Sequence, residues 1–348
     1  MTDVAFAIPG DLLTPTGGYA YDRQVLARLA EHGIKALHLA LPGSFPKPTR
    51  GDLDETLRLI NSLPEGTVVL FDGLAYGALP PDVVARIDRP VVALIHHPLG
   101  LETGLSAVEA ARLVENEKAA LGHAAAVIVT SPTTAQLLTA DFAVPSDRIH
   151  VAEPGTEPAL RASGNGGTMR LLAVGSIVPR KAYDVLIEAL SGLAEVSWSL
   201  TIVGADDRAP GYTAEIRRLI SESGVGERIV VTGAVDDATR DAHYANADIF
   251  VLASLFEGFG IVLTEALARG LPIVTTTGGA AAATVSGDVA VRVPPGDATA
   301  LRQGLKHLIE NPVARRELAE AAWNEAQTLT RWDDTARIVA AVLKENGA

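Results

Sequence analysis

The amino-acid sequence predicts an α/β protein made of two Rossmann-like, doubly wound domains in tandem. Three observations carry that prediction. Short continuous apolar runs alternate with amphipathic stretches along the chain, a Pro- and Gly-rich segment interrupts the alternation once near the middle, and the same order restarts beyond it. Apolar runs without an in-out alternation read as strands buried on both faces, the pattern of a parallel sheet covered by helices.

In the first half the expected strands are residues 3–8, 36–41, 68–71, 91–95 and 126–129. A first helix is expected over 18–31, with Val25, Leu26 and Leu29 on one stripe. The interruption is Glu153-Pro-Gly-Thr-Glu-Pro158 followed by Ser163-Gly-Asn-Gly-Gly167, which has the turn and linker residues of a domain boundary. Beyond it, strands are expected at 171–174, 200–203, 229–231, 249–252 and 273–276. Helices are expected at 182–194, 214–223, 238–245, 260–269 and 298–310, the last capped by Asp297 or Thr299. Helix-like segments 312–329 and 333–344 end the chain. The expected domains are 1–158 and 166–330, with 332–348 packing back on the first. Doubly wound domains bind ligands at the carboxyl ends of their strands, so a cleft faced by both domains is the expected place for chemistry.

Composition bounds the function. The 348 residues are 48% hydrophobic but only 5% aromatic, so two cores built of Ala, Val, Leu and Ile are expected. With no cysteine, disulfides, thiolate metal sites and cysteine nucleophiles are excluded. The net charge of −13 argues against general nucleic-acid binding, which rests on Lys and Arg neutralising phosphates, and against docking on an anionic membrane. The N-terminal residues lack a basic n-region and read as a strand, and no apolar run approaches the ~18 residues of a membrane span. A soluble, cytoplasmic protein is the expectation.

The chemistry concentrates in Glu257-Gly258-Phe259-Gly260-Ile261-Val262-Leu263-Thr264-Glu265, where a buried strand gives way to a Gly-containing loop and then a helix. Gly258 and Gly260 let the backbone approach a ligand. The free N–H groups of Ile261, Val262 and Leu263 at the helix start suit a diphosphate. A carboxylate at Glu265 can accept two hydrogen bonds from a ribose diol, and Glu257 can do the same for sugar hydroxyls. Together these describe a site for a nucleoside-diphosphate sugar.

This segment, continued by Ala266-Leu-Ala-Arg-Gly-Leu-Pro-Ile-Val274, resembles the donor motif of family 4 retaining glycosyltransferases with the GT-B fold. Further pieces of the resemblance are Val174-Gly-Ser-Ile-Val-Pro-Arg-Lys181, Ile202-Val-Gly204 and Val231-Thr-Gly-Ala-Val-Asp-Asp237 in the second half, and Thr16-Gly17-Gly18-Tyr19 and Ile95-His-His-Pro98 in the first. The resemblance implies that Glu257 contacts the donor sugar, Glu265 the ribose and Lys181 the diphosphate, where a cation stabilises the charge growing on the leaving group. It makes His96 the active-site histidine, with His97 as the alternative, since neighbours on a strand point to opposite sides. It puts Gly17 and Gly18 beside the reacting phosphate or the acceptor. Base recognition is expected at Gly233, Val235 and Asp237. Asp236 or Asp237 can accept from an amino group of the base, or both can cap the following helix.

One departure stands out. The family usually carries Arg directly after the Gly of the Val-Gly segment, where this chain has Ser176. Arg180, four residues on, is the candidate substitute because a guanidinium can hold phosphate oxygens bidentately. The implied reaction moves a hexose from a UDP- or GDP-linked sugar to an acceptor hydroxyl with retention, through a same-face displacement. No metal or redox cofactor is expected, since Asp206-Asp207 and Asp333-Asp334 lack the context of a metal-diphosphate site. Residues 106–123 carry Glu109, Glu115 and Glu117 against Arg112 and Lys118, a mildly acidic balance that favours a soluble acceptor over a lipid. The rival readings are a nucleotide-sugar epimerase of the same fold and a non-catalytic nucleotide-sugar binder.

Overall fold

The computed structural model describes residues 2–164 and 167–347, so Asn165 and Gly166, in the expected linker and at the expected start of the second domain, lie outside the described residues. The chain divides into two compact units: unit 1 comprises 1–155 and 330–348, and unit 2 comprises 156–329.

Unit 1 holds a six-stranded sheet formed by β1 (Thr2–Pro9), β2 (Ile34–Leu41), β3 (Val68–Asp72), β4 (Val91–Ile95), β5 (Ala126–Val129) and β6 (Ile149–Val151), in the order β2-β1-β3-β4-β5-β6. Every pairing is parallel. Every residue of β3, β4 and β5 is buried, as expected of apolar runs covered on both faces. The expected helix over 18–31 is an α-helix at Gly17–Arg28 followed by a 3₁₀ turn at Leu29–His32. The helix Trp332–Glu345 closes the unit. It buries Trp332, Ala336, Val339, Ala340, Val342 and Leu343. The Trp332 ring lies edge-on to Tyr21 at 5.6 Å, and Thr335 Oγ1 donates to the carbonyl of Glu153 at 2.7 Å.

Unit 2 repeats the plan with β7 (Met169–Val174), β8 (Trp198–Val203), β9 (Ile229–Val231), β10 (Ile249–Leu252), β11 (Ile273–Thr276) and β12 (Ala290–Val293), in the order β12-β11-β10-β7-β8-β9, again all parallel. Its helices include Tyr183–Ser191, Pro210–Glu222, Asp237–Asn246, Ala298–Glu310 and Pro312–Glu325. Asp297, not Thr299, caps Ala298–Glu310: its Oδ1 accepts from the Ala300 N–H at 2.8 Å. The helix expected over 260–269 spans only Ile261–Leu267, because the chain turns back there and Leu271 N donates to the carbonyl of Ala266 at 3.1 Å.

Two strands have no counterpart in the sequence-based expectation. β6 and β12 are edge strands of three and four residues, and each carries a polar residue, His150 and Arg292, in its short run. Edge strands need to bury only part of their length, so the continuous apolar signal is missing.

The helix Ala107–His123 changes one expectation. Glu117 is fully buried, and its Oε2 accepts from the Leu99 N–H at 3.0 Å. The charges this helix exposes are therefore Arg112, Glu115, Lys118 and His123, with Glu109 tied into the capping box of Ser106. That surface is balanced, and the acidic argument for a soluble acceptor loses its basis. Burial pushes the Glu117 carboxyl up to about 8. Between its ordinary range and that value the folded chain holds a proton that the unfolded chain has released, so stability falls as pH rises through the window. Glu117→Gln is expected to raise the unfolding temperature of unit 1 more at pH 9 than at pH 5. An equal change at both values in thermal scans would contradict this.

Candidate functional site

In unit 2 the strand order reverses between β7 and β10. The loops that follow these strands leave in opposite directions and open a crevice, the usual ligand position in such sheets. The loop after β7 carries Gly175 to Lys181, and the loop after β10 carries Ala253 to Gly260. The two loops are stitched together. Leu255 N donates to the carbonyl of Arg180 at 2.8 Å, and Arg180 Nη1 donates to the carbonyl of Phe256 at 2.7 Å. Lys181 Nζ lies 2.6 Å from Glu257 Oε1, and Arg180 Nη1 lies 3.4 Å from Glu257 Oε2. A Cβ on Gly175 would stand 3.1 Å from Lys181 Cε, so this glycine leaves room for the lysine stem.

Glu257 is buried, and its backbone is fixed on both sides: its N–H donates to Gly278 O at 3.2 Å, and its carbonyl accepts from Ala280 N at 2.8 Å. Burial alone pushes such a carboxyl up. Lys181 first and Arg180 next outweigh it and hold Glu257 down at about 2. Glu257 is thus a fixed anion beside two cations. Ala182, directly after Lys181, stands at φ 49 and ψ 48, a left-handed conformation that costs a non-glycine residue roughly 1–2 kcal/mol. The local strain lies beside the lysine.

Gly260, at φ 93, is the N-cap of the seven-residue helix Ile261–Leu267, and this left-handed turn carries the chain from Gly258 and Phe259 into it. Ile261 and Val262 are half-buried. Glu265 accepts at Oε2 from the Tyr244 hydroxyl at 2.8 Å. The Arg269 guanidinium stacks 4.5 Å above the Tyr244 ring and pairs with Asp241 at 2.5 Å. Burial pushes the Glu265 carboxyl up, against the pull of Arg240 and Tyr244. Tyr244 and Arg269 give no sequence signal of this role, because an aromatic residue and an arginine at helical spacing read as ordinary packing.

The loop after β9 holds Gly233 to Asp237. Gly204 N donates to Gly233 O at 3.1 Å, Val235 is half-buried, and Asp237 is exposed and paired with Arg240 at 2.8 Å. Asp236 is the cap of the helix Asp237–Asn246: its Oδ1 accepts from Thr239 N at 2.8 Å. Asp236→Ala is therefore expected to lower the stability of unit 2 through loss of the helix cap and to leave nucleotide affinity unchanged. Calorimetry that shows a loss of nucleotide affinity would assign Asp236 to the base instead.

In unit 1, Thr16 caps the helix that Gly17 and Gly18 open, accepting from Tyr19 N at 3.3 Å. His96 follows the last residue of β4, and its Nε2 lies 3.1 Å from Asp22 Oδ1 and 3.6 Å from Asp72 Oδ2. His97 is half-buried. Asp22 and Asp72 are not among the sequence-derived candidates. Asp72 carries a readable signal, a charge closing the buried run of β3, whereas Asp22 reads as a polar helix residue. Among the described residues, Asp22, Asp72 and His96 form the one His/Asp/Glu group whose ligand atoms all lie within 4.8 Å of one another.

The two parallel sheets, with chemistry-bearing side chains at their carboxyl ends, define the class as a two-unit α/β protein of the GT-B fold. Residues 168–311 match the family described as "Glycosyl transferases group 1". Most of the second unit thus matches the group 1 glycosyltransferases, and the whole chain has the GT-B fold. It is 27% identical over 278 residues to the MMP alpha-(1->4)-mannosyltransferase of Mycolicibacterium hassiacum, covering 75% of this chain and 67% of that protein. It is 29% identical over 338 residues to the GDP-mannose-dependent alpha-(1-6)-phosphatidylinositol monomannoside mannosyltransferase of Mycolicibacterium smegmatis, covering 91% and 84%. The chain spans 67%, 52% and 58% of the lengths of three of the curated relatives it matches. Among solved structures, the sucrose-phosphate synthase of Thermosynechococcus elongatus superposes with a TM-score of 0.83 over 99% of each chain at 21% identity, a likeness of fold. No helix among the described residues is long and apolar enough to cross a membrane.

Proposed function

We propose that the chain transfers a hexose from a nucleoside-diphosphate sugar to an acceptor hydroxyl, with retention and without a metal ion. One observation carries this reading: the half-buried Lys181 pairs with the buried Glu257 at 2.6 Å, at the carboxyl ends of the strands where the sheet order of unit 2 reverses. In it, Glu257 accepts from the hydroxyls of the donor sugar. Lys181, with Arg180, provides positive charge for the leaving diphosphate. Glu265, steadied by Tyr244, accepts from the ribose. The acceptor hydroxyl attacks the anomeric carbon as the nucleoside diphosphate leaves, and the departing phosphate oxygen takes the hydroxyl proton on the same face. No second carboxylate of the glycosidase kind is then required.

The name of the M. smegmatis relative supports GDP-mannose as the first donor to test, with UDP-glucose beside it. The test is release of the nucleoside diphosphate from each donor, with and without EDTA, against free sugars, sugar phosphates and a phosphatidylinositol mannoside in vesicles. The expected result is release that requires an acceptor, survives EDTA, and yields a product with the anomeric configuration of the donor. A new sugar nucleotide formed without acceptor would favour an epimerase. Donor binding with no turnover on any acceptor would favour a non-catalytic binder.

A further inference from the structure

The helix Gly17–Arg28 turns three residues of one face toward His96. Gly18 lacks a Cβ where one would stand 3.3 Å from the imidazole Cδ2, the Tyr21 ring lies edge-on to the imidazole at 5.1 Å, and Asp22 Oδ1 lies 3.1 Å from Nε2. Positions 18, 21 and 22 are the i, i+3 and i+4 set that shares a helix face. Asp72, from the end of β3, approaches the same nitrogen at 3.6 Å, and Thr130, after β5, donates to the main-chain carbonyl of His96 at 3.4 Å. Of these, Gly18, Tyr21, Asp22 and Asp72 face the ring, and Thr130 holds the backbone behind it.

Both carboxylates are buried, Asp22 with 0% and Asp72 with 2% of its surface exposed, whereas the His96 side chain keeps 23%. Asp22 Oδ2 is buried and makes no hydrogen bond among the described residues. A buried carboxylate with one oxygen unsatisfied is a poor structural element, since it opposes folding unless a cation compensates it. Among the described residues, the imidazole is the one cation paired with the two acids. Burial pulls His96 down, but Asp22 and then Asp72 outweigh it and hold the ring up at about 10. Both carboxylates act on Nε2, and Nδ1 has no hydrogen-bond partner among the described residues.

We propose that Asp22 is a positioning residue for glycosyl transfer: with Asp72 it clamps His96 as an imidazolium, so that Nδ1 presents a charged N–H to an oxygen of the bound substrate. The role in transfer rests on the function proposed above, whereas the clamp itself does not. A structural carboxylate would only need to be present. A positioning carboxylate has to set the protonation and the tilt of the ring.

The test has two readouts. Without substrate, histidine side-chain NMR is expected to show His96 still protonated at pH 8, and Asp22→Asn is expected to lower its midpoint by at least a full pH unit. In turnover, the wild-type kcat is expected to be flat on the alkaline side up to about pH 9 and to fall as pH drops through about 7, where Asp22, pushed up by burial and then by Asp72, takes up a proton. Asp22→Asn is expected to lose on the order of 10–100-fold in kcat, as carboxylate–histidine pairs commonly do. It should also gain a limb along which kcat falls as pH rises through the new midpoint, with the donor KM little changed. Asp72→Asn, at the longer distance, gives the same changes to a smaller extent and serves if Asp22→Asn does not fold. A wild-type His96 that titrates near the ordinary ~6.5 overturns the proposal, and so do folded variants whose ring midpoint and pH profile are unmoved. A wild-type chain that turns over no donor, with the ring midpoint still shifted by Asp22→Asn, upholds the clamp and overturns the glycosyl-transfer reading alone.

Discussion

Lys181→Ala is expected to lower kcat by roughly 10²–10³-fold, the scale on which a single group that stabilises developing charge is worth, and also to destabilise unit 2. The two losses have separate causes. In turnover, the substitution removes a cation from beside the leaving diphosphate. In the folded state, it leaves Glu257 buried, with Arg180 as its remaining cation at 3.4 Å. Breaking one side of a buried ion pair commonly costs about 3–5 kcal/mol. The double variant Lys181→Met/Glu257→Gln separates the two, since it removes both charges and keeps the side-chain volumes. It is expected to recover most of the stability and none of the turnover. Chemical denaturation followed by single-turnover assays measures both. Near-wild-type turnover by Lys181→Ala would end the assignment of this lysine. The acid limb has a definite sign. Glu257 is depressed to about 2, so the pair contributes fully above the ordinary glutamate range and loses its contribution as pH falls through that range toward about 2.

Ending the chain after Leu329 is expected to unfold unit 1 and leave unit 2 folded. The segment removed carries Trp332, Val339, Val342 and Leu343, each at most 6% exposed. Each buried side chain of this size contributes about 1.5–3 kcal/mol, and four of them approach the whole ~5–15 kcal/mol stability of a domain. The loss also strips the cover from Tyr21, which stands between the Trp332 ring and His96. Hydrogen exchange followed by peptide mapping is the measurement. Unit 2 strands are expected to keep their protection, and β1, β3 and β4 to lose theirs. Full protection of β1 in the shortened chain would show that the last helix is an accessory.

The inner strands β3, β4, β5, β10 and β11 are legible because burial on both faces demands an unbroken apolar run, and each begins and ends within one residue of the position the run marks. The edge strands β6 and β12 escape because one polar residue in three or four erases the signal. The loop Gly258 to Gly260 is legible from its glycines. Its partner Gly278, whose carbonyl holds Glu257 in place, is not, because the contact joins residues about twenty apart across β11. Asp22 and Tyr244 are silent in the sequence for the same reason: each acts on a side chain brought to it by the fold, His96 in one case and Glu265 in the other. The resemblance to known donor motifs marks the residues proposed to meet a ligand, and it omits the residues that hydrogen-bond to them.

The chain leaves unit 1 at Gly155 and re-enters it at Thr330, which sets an order during synthesis. A ribosome adding ~5–20 residues per second needs on the order of ten to forty seconds to pass from the first crossing to the last helix. Throughout that interval β1 to β6 have been made but lack their closing helix, while all of unit 2 is emerging behind them. The second unit to be started is thus the first that can be finished. The nascent first unit must wait with the seat of Trp332 open to water, a period in which a chaperone that covers apolar surface has something to hold.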